Sequence, residues 1–377
     1  MKHLSQSLLV SFLFFTSLLS SAAGIDDSPE HRLLYVAVPG IRDYLQYGGH
    51  GILLFDIDHG HKFLNRLPCS GLDEKGKPLN VKGICASAPT ARLYVTTTKS
   101  LSSFDVISGK VLWEKSYEGG CDRLSITPDG KIIYLPSLEG DHWHVVDALS
   151  GRVIKKLVLN SGAHNTIIGP DGKFAYLAGL KSPVLRVANT TKHEVVKEVG
   201  PFGAFIRPFT INSSQTFTYV NVNGLLGFEV GDLNTGKFLH RVVVEGFQIG
   251  ETKRHGCPSH GIGLTPDDKE LWLTDAANSS IHIFDNRVMP PKQMTSILLR
   301  DQPGWVTFSI NGKLAYPSTG DVIDVPSRKI VAELTDEKGA AVQSEKLLEI
   351  DFKGNKPIRA GNQFGIGTAR ADSMGRD

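Results

Sequence analysis

A short segment that recurs along the chain restricts its fold more than any other feature. Residues 126–134 read Ile-Thr-Pro-Asp-Gly-Lys-Ile-Ile-Tyr, and residues 168–176 read Ile-Gly-Pro-Asp-Gly-Lys-Phe-Ala-Tyr. Related copies lie at residues 264–272 and 309–316. Proline presets the first turn position, and Asp-Gly or Asn-Gly accepts the positive φ that follows. Each copy therefore predicts a strand, a tight turn and a second strand.

A second landmark lies downstream in each unit, an acidic residue between apolar residues and ahead of a turn. Its positions are Asp56, Asp105, Asp147, the degenerate Ala188, the variant Glu229, Asp285 and Asp324. Successive positions are 49, 42, 41, 41, 56 and 39 residues apart. Seven units of about 40 to 50 residues match the period of β-propellers and exceed that of the shorter helical and leucine-rich repeats.

The segments between the landmarks are short and rich in β-branched residues, as in residues 152–158. Their alternating pattern is typical of strands, and no segment shows a convincing helical period. Four short strands per unit make one blade, and blades arranged around an axis leave few exposed strand edges. We therefore predict an all-β fold: residues 24–377 form one domain, a seven-bladed β-propeller with four-stranded blades.

The first unit lacks an innermost strand of its own. Residues 33–38 already look like a second strand, whereas residues 347–355 resemble the first strand and turn of a repeat. We predict that these two segments pair and close the ring between the N- and C-terminal strands. A chain truncated near residue 340 should then fail to fold.

The Pro-Asp-Gly-Lys and Tyr-Leu copies, together with Val-Val-Asp-Ala and Ser-Gly-Arg-Val in residues 145–153, resemble the YVTN-repeat propellers, which include YncE-like exported proteins. The resemblance covers nearly all of the chain after residue 23 and implies the propeller fold. It implies little about function, because such propellers serve many roles. Residues 88–91 and 212–215 replace the usual turn, so a blade does not require Pro-Asp-Gly.

The beginning of the chain predicts export. Lys2 is followed by an apolar stretch at residues 8–19 and by small residues at 20–24, the pattern of a cleaved signal peptide. The stretch is too short to be a stable transmembrane helix. We expect removal of residues 1–23 to leave a periplasmic or secreted protein without a membrane span. Lys and Arg total 41 against 39 Asp and Glu, so the basic excess of a nucleic-acid-binding protein is missing.

Four cysteines, Cys69, Cys85, Cys121 and Cys257, permit up to two disulfides in an exported protein. Cys69 and Cys85 are close in sequence and are the first pair to consider. Buried free thiols are an equally good interpretation. No CxxC pair is present, which excludes zinc-ribbon and thioredoxin-like motifs.

Residues just before each innermost strand of a propeller line the mouth of its central channel. Counting back from each turn proline, or from its equivalent, places two histidines, two arginines, two lysines, an aspartate and a tryptophan there. Lys346 is the position contributed by the last unit. The candidate ligand-binding residues are Lys82, Asp122, Arg123, His164, Asn165, Arg207, His255, His260 and Trp305.

Two interpretations of this mouth stay open. Channel mouths are wet, and polar residues there can simply be solvated. Alternatively, the cationic mouth binds a small anionic or sugar-like molecule, because arginine offers paired hydrogen bonds to a carboxylate or phosphate and tryptophan offers a stacking face. The longest unit supports the second interpretation, since residues 250–260 enlarge a loop that runs directly into the mouth.

The same loop carries a group that resembles a metal site. His255, Cys257 and His260 lie within six residues of one another and could help hold a transition metal. Their spacing matches no standard zinc signature, and Pro258 restricts the backbone of Cys257. We therefore predict no metal site in this loop.

Two other histidine pairs are expected to be ordinary. Strand periodicity places His142 and His144 on one face, an arrangement that can bind metal and that is more often a solvated strand start. His59 and His61 flank a glycine and are expected at the surface of a turn.

No nucleophile elbow, P-loop or His-Glu-x-x-His motif is present. We therefore favour a non-catalytic binding or interaction scaffold of the cell envelope, with a small anionic ligand or a protein partner at the mouth. The alternative is an enzyme, a lactone hydrolase or a lyase acting on a small sugar acid, by analogy with propeller enzymes. His164 or His260 would then be the general base, while Arg123 and Arg207 would hold the anion.

A third hypothesis is a subunit that docks to a redox enzyme, as some YVTN propellers do. The chain has no Cys-x-x-Cys-His haem motif, so the electron carrier would belong to the partner. The sequence identifies no cofactor of its own.

Overall fold

The structure, a computed structural model, describes residues 29–69, 71–251, 254 and 256–368. The predicted signal peptide, residues 1–23, lies outside the described residues. The regular elements of the described part are all strands. No helix found there has the length and apolar character needed to cross a bilayer.

The strands of the first four units are β1 (His31–Val38), β2 (Gly51–Asp56), β3 (Lys62–Leu67), β4 (Val81–Ser87), β5 (Arg92–Thr97), β6 (Ser100–Asp105), β7 (Val111–Ser116), β8 (Ser125–Ile126), β9 (Ile132–Pro136), β10 (His142–Asp147), β11 (Val153–Val158), β12 (Ala163–Ile168), β13 (Phe174–Gly179), β14 (Leu185–Asn189) and β15 (Glu194–Val199). The remaining strands are β16 (Ile206–Ile211), β17 (Phe217–Val222), β18 (Gly227–Asp232), β19 (Phe238–Val243), β20 (Ile262–Leu264), β21 (Glu270–Asp275), β22 (Ser280–Asp285), β23 (Lys292–Leu298), β24 (Val306–Phe308), β25 (Leu314–Pro317), β26 (Asp321–Asp324), β27 (Lys329–Glu333), β28 (Leu347–Lys353) and β29 (Lys356–Ala360).

These strands form seven antiparallel sheets in the described part of the chain, and each sheet is one blade. Blade 1 contains β28, β1, β2 and β3, and blades 2 to 7 take the following strands in consecutive groups of four. The first strand of each blade contacts the first strand of the next, and β28 contacts β4. The innermost strands therefore form a closed ring, which confirms the predicted seven-bladed propeller.

Blade 1 closes the ring between the two ends of the chain. β28 pairs antiparallel with β1, from Leu347 opposite Val36 to Phe352 opposite His31. This confirms the predicted pairing. Blade 1 also has a fifth strand, β29, which returns along β28 on the side away from β1. The repeat pattern missed β29 because this strand belongs to no repeat; Gly354, with φ of +56°, lets the chain reverse before it.

The aromatic residue of the repeat holds neighbouring blades together. The second strand of every blade carries one such side chain, each at most 2% exposed: Tyr35, Tyr94, Tyr134, Tyr176, Tyr219, Trp272 and Tyr316. Apolar clusters join adjacent blades around these positions. Since buried aromatic rings carry much of the apolar area of a core, the repeat that predicts the fold also stabilises it.

The acidic residue of the repeat closes the turn between the third and fourth strands. Asp147 Oδ1 accepts hydrogen bonds from the Ser150 backbone N–H at 2.8 Å and from the Ser150 hydroxyl at 2.7 Å. Asp105 and Ser108 repeat both contacts at 2.7 Å. The landmark is therefore local turn chemistry, which explains why the sequence reveals it.

Residues 361–368, the C-terminal tail, cross the channel at the end where the Pro-Asp-Gly turns lie. Gln363 accepts from the Ile84 N–H at 3.1 Å and donates to the Leu124 carbonyl at 3.0 Å, which connects blades 2 and 3. The Gly365 carbonyl accepts from the Thr210 hydroxyl and the Leu264 N–H, both at 2.8 Å, in blades 5 and 6. The tail therefore closes this end of the channel, a feature that the sequence did not predict.

All four cysteines are buried free thiols. Cys69 packs with Val81 and Ile84 in the cluster between blades 1 and 2. Cys85 packs with Cys121 in a different cluster, between blades 2 and 3. Successive residues of a strand point to opposite faces, so Ile84 and Cys85 serve different clusters. The structure therefore matches the free-thiol interpretation and not the Cys69–Cys85 disulfide.

Candidate functional site

The polar residues counted back from the turns lie at the ends of the innermost strands away from the Pro-Asp-Gly turns, and one of them, Trp305, donates to the carbonyl of Gln363 in the C-terminal tail. Asp122 and Arg123 precede β8, whereas His164 and Asn165 lie at the start of β12. We call the following residues the mouth cluster: Lys82, Asp122, Arg123, His164, Asn165, Arg207, His260, Trp305, Glu345 and Lys346. Most of them are less than 9% exposed, and only Lys82 and Arg207 are half-buried. A solvated rim therefore does not describe this mouth.

Asp122 and His164 form a buried pair. His164 Nδ1 donates to Asp122 Oδ2 at 2.6 Å, and Lys82 Nζ lies 3.4 Å from Asp122 Oδ1. Burial alone would raise the pKa of Asp122, but the neighbouring His164, Lys82 and Arg123 outweigh it and hold that pKa at about 2. Burial lowers the pKa of His164 even though Asp122 opposes the shift. At neutral pH the pair is therefore a carboxylate and a neutral imidazole with its proton on Nδ1.

Arg123 lies at the centre of the mouth cluster. Its Nη1 donates to His164 Nε2 at 3.1 Å, and its Nη2 forms an ion pair with Glu345. The guanidinium carbon lies 4.4 Å from the centre of the Trp305 ring, a cation–π contact. One side chain thus joins the innermost parts of blades 3, 4 and 7 to the segment before β28.

Glu345 and Lys346 complete the charges around Arg123. Lys346 Nζ donates to Glu345 Oε2 at 2.6 Å and to the Gly40 carbonyl at 2.8 Å. Burial, followed by the positive charge of Arg123, lowers the pKa of Lys346 to about 7. Sequence counting placed Lys346 at the mouth and missed Glu345. In the sequence, only the position of Glu345 next to Lys346 points to the mouth, because its partner Arg123 lies 222 residues away.

His260 and Arg207 lie beside this network. His260 Nδ1 donates to the Gly304 carbonyl at 2.8 Å, and its ring centre is 6.0 Å from that of Trp305. Arg207 donates to Asn223 and, at 3.3 Å, to the carbonyl of Gly256 in the enlarged loop. Arg207 is therefore the half-buried arginine that borders the cluster.

The enlarged loop reaches across the mouth face to distant blades. Arg254 pairs with Asp301 at 2.6 Å and donates to Gln343 at 3.1 Å. Its carbonyl accepts from Arg42 at 3.0 Å, and its guanidinium lies 5.0 Å from the ring centre of Tyr47. These contacts join Arg254 to the connections on both sides of blade 7 and to blade 1.

His255 lies outside the described residues, so its place relative to the mouth is not described. Cys257 is buried, and its thiol donates to the Ser259 carbonyl at 3.0 Å. Burial raises the pKa of Cys257 to about 12, which keeps the thiol protonated at neutral pH.

Asn165 is a polar side chain with unused hydrogen-bonding groups. It is fully buried, and its backbone forms a bridge with Arg123. Among the described residues, neither its Oδ1 nor its Nδ2 has a hydrogen-bond partner, and the same holds for Arg123 Nε. Because buried polar groups are nearly always paired, this part of the cluster has donors and acceptors available to a small polar molecule.

Two expectations about histidines are corrected by the structure. His61 is only 6% exposed, and its Nε2 lies 3.1 Å from the hydroxyl of Tyr316 in blade 7. Burial, with Arg32 adding to it, lowers the pKa of His61 to about 4. His142 and His144 are buried as well, and do not form a solvated strand start. Each of these contacts comes from a neighbouring blade or connection, which local periodicity does not reveal.

A cavity of about 1050 Å³ lies at the other end of the channel, beside the C-terminal tail. The turn segments 87–89, 125–128, 168–171 and 213–215 contribute to its lining. None of the sequence-predicted site residues lines it. The mouth cluster is therefore separate from the lining of this cavity, and Gln363 and Phe364 of the tail lie between them in contact with Trp305.

The fold and the site define a seven-bladed β-propeller with a buried, ion-paired channel mouth. No family model matches the sequence. No curated protein matches it either. Among solved structures the chain is similar to Kuenenia stuttgartiensis hydrazine synthase, with 16% identity and a TM-score of 0.45 over 66% of this chain and 94% of that one.

Proposed function

We propose that the protein is an exported YVTN-type propeller that acts as a binding scaffold and holds a small anionic, sugar-like ligand at its channel mouth. The carrying observation is the excess of positive charge in the mouth cluster, where two half-buried cations, Lys82 and Arg207, add to the balanced buried charges, next to the unpaired amide of Asn165. The sequence resemblance and the signal-peptide pattern support the family and the export parts of the proposal.

The charge excess favours an anion. The mouth cluster contains four cationic side chains, Lys82, Arg123, Arg207 and Lys346, and two carboxylates. Burial, followed by the positive charge of Arg123, lowers the pKa of Lys346, so its ammonium loses the proton more easily than an exposed lysine does. A bound carboxylate or phosphate would offset the excess and restore the charge of Lys346.

Buried ion pairs rarely stabilise a fold more than apolar residues of the same volume. Seven converging strands could be closed with apolar side chains, as the C-terminal tail does at the other end with Phe364 and Ile366. A charged network at the mouth is therefore better explained by recognition than by stability. The free amide of Asn165 suits a hydroxyl group, which favours a hydroxylated acid over a simple inorganic ion.

The enzyme hypothesis is kept as a second candidate because of one observation. Asp122 holds the Nδ1 proton of His164, which leaves Nε2 as the lone-pair atom, as a general base requires. Arg123 occupies that lone pair in the present arrangement. An anion that drew Arg123 away would free Nε2, so lactone hydrolysis or proton abstraction would depend on anion binding first.

Thermal unfolding of the purified protein with glucuronate, inorganic phosphate or glucose tests the proposal. We expect glucuronate to raise the Tm, phosphate to raise it less, and glucose to leave it unchanged. Arg207→Gln and Asn165→Ala should each reduce the shift. Arg186→Gln, a half-buried arginine in β14 that pairs with Glu198, is the matched control and should retain it.

No shift with either anion would contradict the proposal, as would a shift that both mouth variants retain. Turnover of a lactone by the wild-type protein, lost in His164→Gln with glucuronate binding retained, would favour the enzyme candidate.

A further inference from the structure

Two buried histidines outside the mouth cluster face the connection between blades 2 and 3. His142 and His144 lie on the same face of β10, since side chains alternate along a strand. They are 3% and 4% exposed. Their Nε2 atoms are 3.0 Å apart, and the Glu118 carbonyl oxygen lies 3.2 Å from that of His142 and 3.0 Å from that of His144.

The two imidazole rings do not carry enough protons to satisfy all the hydrogen-bond acceptors around them. His142 Nδ1 donates to the carboxylate of Asp141, so Nε2 of the neutral His142 ring is a lone-pair atom. His144 Nε2 can then give its one proton to two acceptors, His142 Nε2 and the Glu118 carbonyl. In that tautomer His144 Nδ1 is a buried acceptor, and it has no partner among the described residues.

We propose that His142 Nε2, His144 Nε2 and the Glu118 carbonyl oxygen bind a divalent transition metal, with Cu²⁺ preferred over Zn²⁺. A metal ion between the three atoms takes three lone pairs and removes the competition for one proton. His144 then carries its proton on Nδ1. The remaining coordination positions are filled by water or by a small ligand.

The second shell of His142 matches this assignment. Metal-binding histidines usually donate their other ring N–H to a carboxylate, as His142 does to Asp141. The carboxylate of Glu118 pairs with Lys156 at 3.0 Å, whereas its main-chain oxygen faces the imidazoles. Gly119 permits that approach: its φ is +77°, and a Cβ there would lie 3.1 Å from His142 Cε1.

The distance between the imidazole nitrogens decides between metals. With metal–nitrogen bonds of about 2.0–2.1 Å, two nitrogens 3.0 Å apart subtend roughly 90–95° at the metal. That angle suits tetragonal Cu²⁺, whereas a regular tetrahedron around Zn²⁺ needs nitrogens about 3.4 Å apart. Copper also binds nitrogen ligands more tightly than zinc does. Within the described residues no group of three or more His, Cys, Asp or Glu side chains is arranged to hold a metal. The third ligand of the proposed site is the main-chain oxygen of Glu118, which lies 3.2 Å and 3.0 Å from the two nitrogens.

Titration of the chelator-treated protein with Cu²⁺ and, separately, Zn²⁺ tests the proposal. We expect one Cu²⁺ per chain, bound more tightly than Zn²⁺, with an electron paramagnetic resonance spectrum that shows two imidazole nitrogens.

His142→Gln and His144→Gln should each weaken Cu²⁺ binding by at least about tenfold, and Asp141→Asn by about 10- to 100-fold, as is usual for outer-shell changes. His59→Gln, an exposed histidine that also pairs with an aspartate, is the control and should bind like the parent. If a histidine variant does not fold, the spectrum of the parent protein decides, since it must show two nitrogens. No stoichiometric copper in the parent, a spectrum without imidazole nitrogens, or binding unchanged in both folded histidine variants would overturn the site.

Discussion

At the scale of single residues, Asp122 is a fully buried carboxylate whose stability contribution depends on its partners. Replacing it by alanine leaves Lys82 without its carboxylate and His164 without its acceptor. We expect Asp122→Ala to lower the free energy of unfolding by about 3–5 kcal/mol, the usual effect of breaking a buried pair. Urea denaturation measures the change.

The matched control for Asp122 is Asp43→Ala, which removes an exposed pair with Lys77. Surface pairs of this kind contribute about 0–1 kcal/mol. Equal losses in the two variants would mean that the mouth network does not stabilise the folded protein.

Glu349 gives a pH dependence with a defined sign. It lies in β28 and is 1% exposed; burial, followed by the hydrogen bond and charge of Asp351, raises its pKa from 4.5 to about 8. The folded state therefore holds a proton that the unfolded state releases above pH 4.5. The free energy of unfolding should fall as pH rises from about 4.5 to about 8.

Glu349→Gln keeps a neutral side chain at every pH, so this decline should become smaller in that variant. Unfolding in urea at several pH values between 4.5 and 8 measures it. Glu194→Gln, an exposed glutamate of β15, should follow the parent protein. A decline of the same size in Glu349→Gln would contradict the buried-proton explanation.

Single residues also show which features of the mouth were predictable from the sequence. Counting back from the turns located Asp122, Arg123 and His164, because the position of a residue within a repeat is local information. It did not predict which groups pair, since the Arg123–Glu345 contact depends on the closing of the ring and on side-chain conformation. His61 was misplaced for the same reason, as its neighbour Tyr316 belongs to another blade.

At the scale of elements, the C-terminal tail has no recognisable repeat pattern in its sequence. It nevertheless makes many contacts in the folded protein. Phe364 and Ile366 are buried in the cluster that contains Trp305 and Phe209. Burial of each contributes about 1.5–3 kcal/mol. A chain that ends at residue 360 should therefore lose about 3–6 kcal/mol of stability while keeping all strands of the seven blades.

Thermal and urea unfolding of that truncated chain measure the loss, and a chain that ends at Thr368 is the control. Stability equal to that of the control would show that the tail adds nothing to the fold. The tail escaped prediction because it has no repeat partner, and its contacts with six blades exist only after the ring has formed. The blade turns were predictable, because Pro-Asp-Gly and the acidic landmark act within a few residues.

At the scale of the whole molecule, closure of the ring depends on β28. Without it β1 loses its pairing partner, and the innermost ring has a gap between β24 and β4. We expect a chain that ends at residue 340 to show no cooperative unfolding transition and to aggregate, because exposed strand edges pair with other chains. Size-exclusion chromatography and thermal unfolding test this. A monomer with a sharp transition would contradict closure by β28.

The number of blades and the ring closure were predictable because seven repeats and one leftover strand leave few alternative arrangements. The ligand was not predictable, because propellers with the same repeat carry different sites. The sequence indicated a cationic mouth. The structure shows in addition that this mouth is buried and that the pKa of Lys346 is about 7.

Anion binding at the mouth is the central claim, and the pH dependence of glucuronate affinity tests it most directly. The groups that face Lys346 are Glu345, Arg123, Lys82 and the Gly40 carbonyl. Since its pKa is about 7 without ligand, an anion that restores its charge must bring a proton with it above that pH.

Isothermal titration calorimetry at pH 6 and pH 8 is the measurement. We predict that glucuronate binds roughly tenfold more tightly at pH 6, which follows from one proton taken up by a group of pKa about 7. Lys346→Arg, which stays charged at both pH values, should bind with little difference between them. Absence of binding at either pH, or the same affinity at both in the parent protein, would contradict an anion site at the channel mouth.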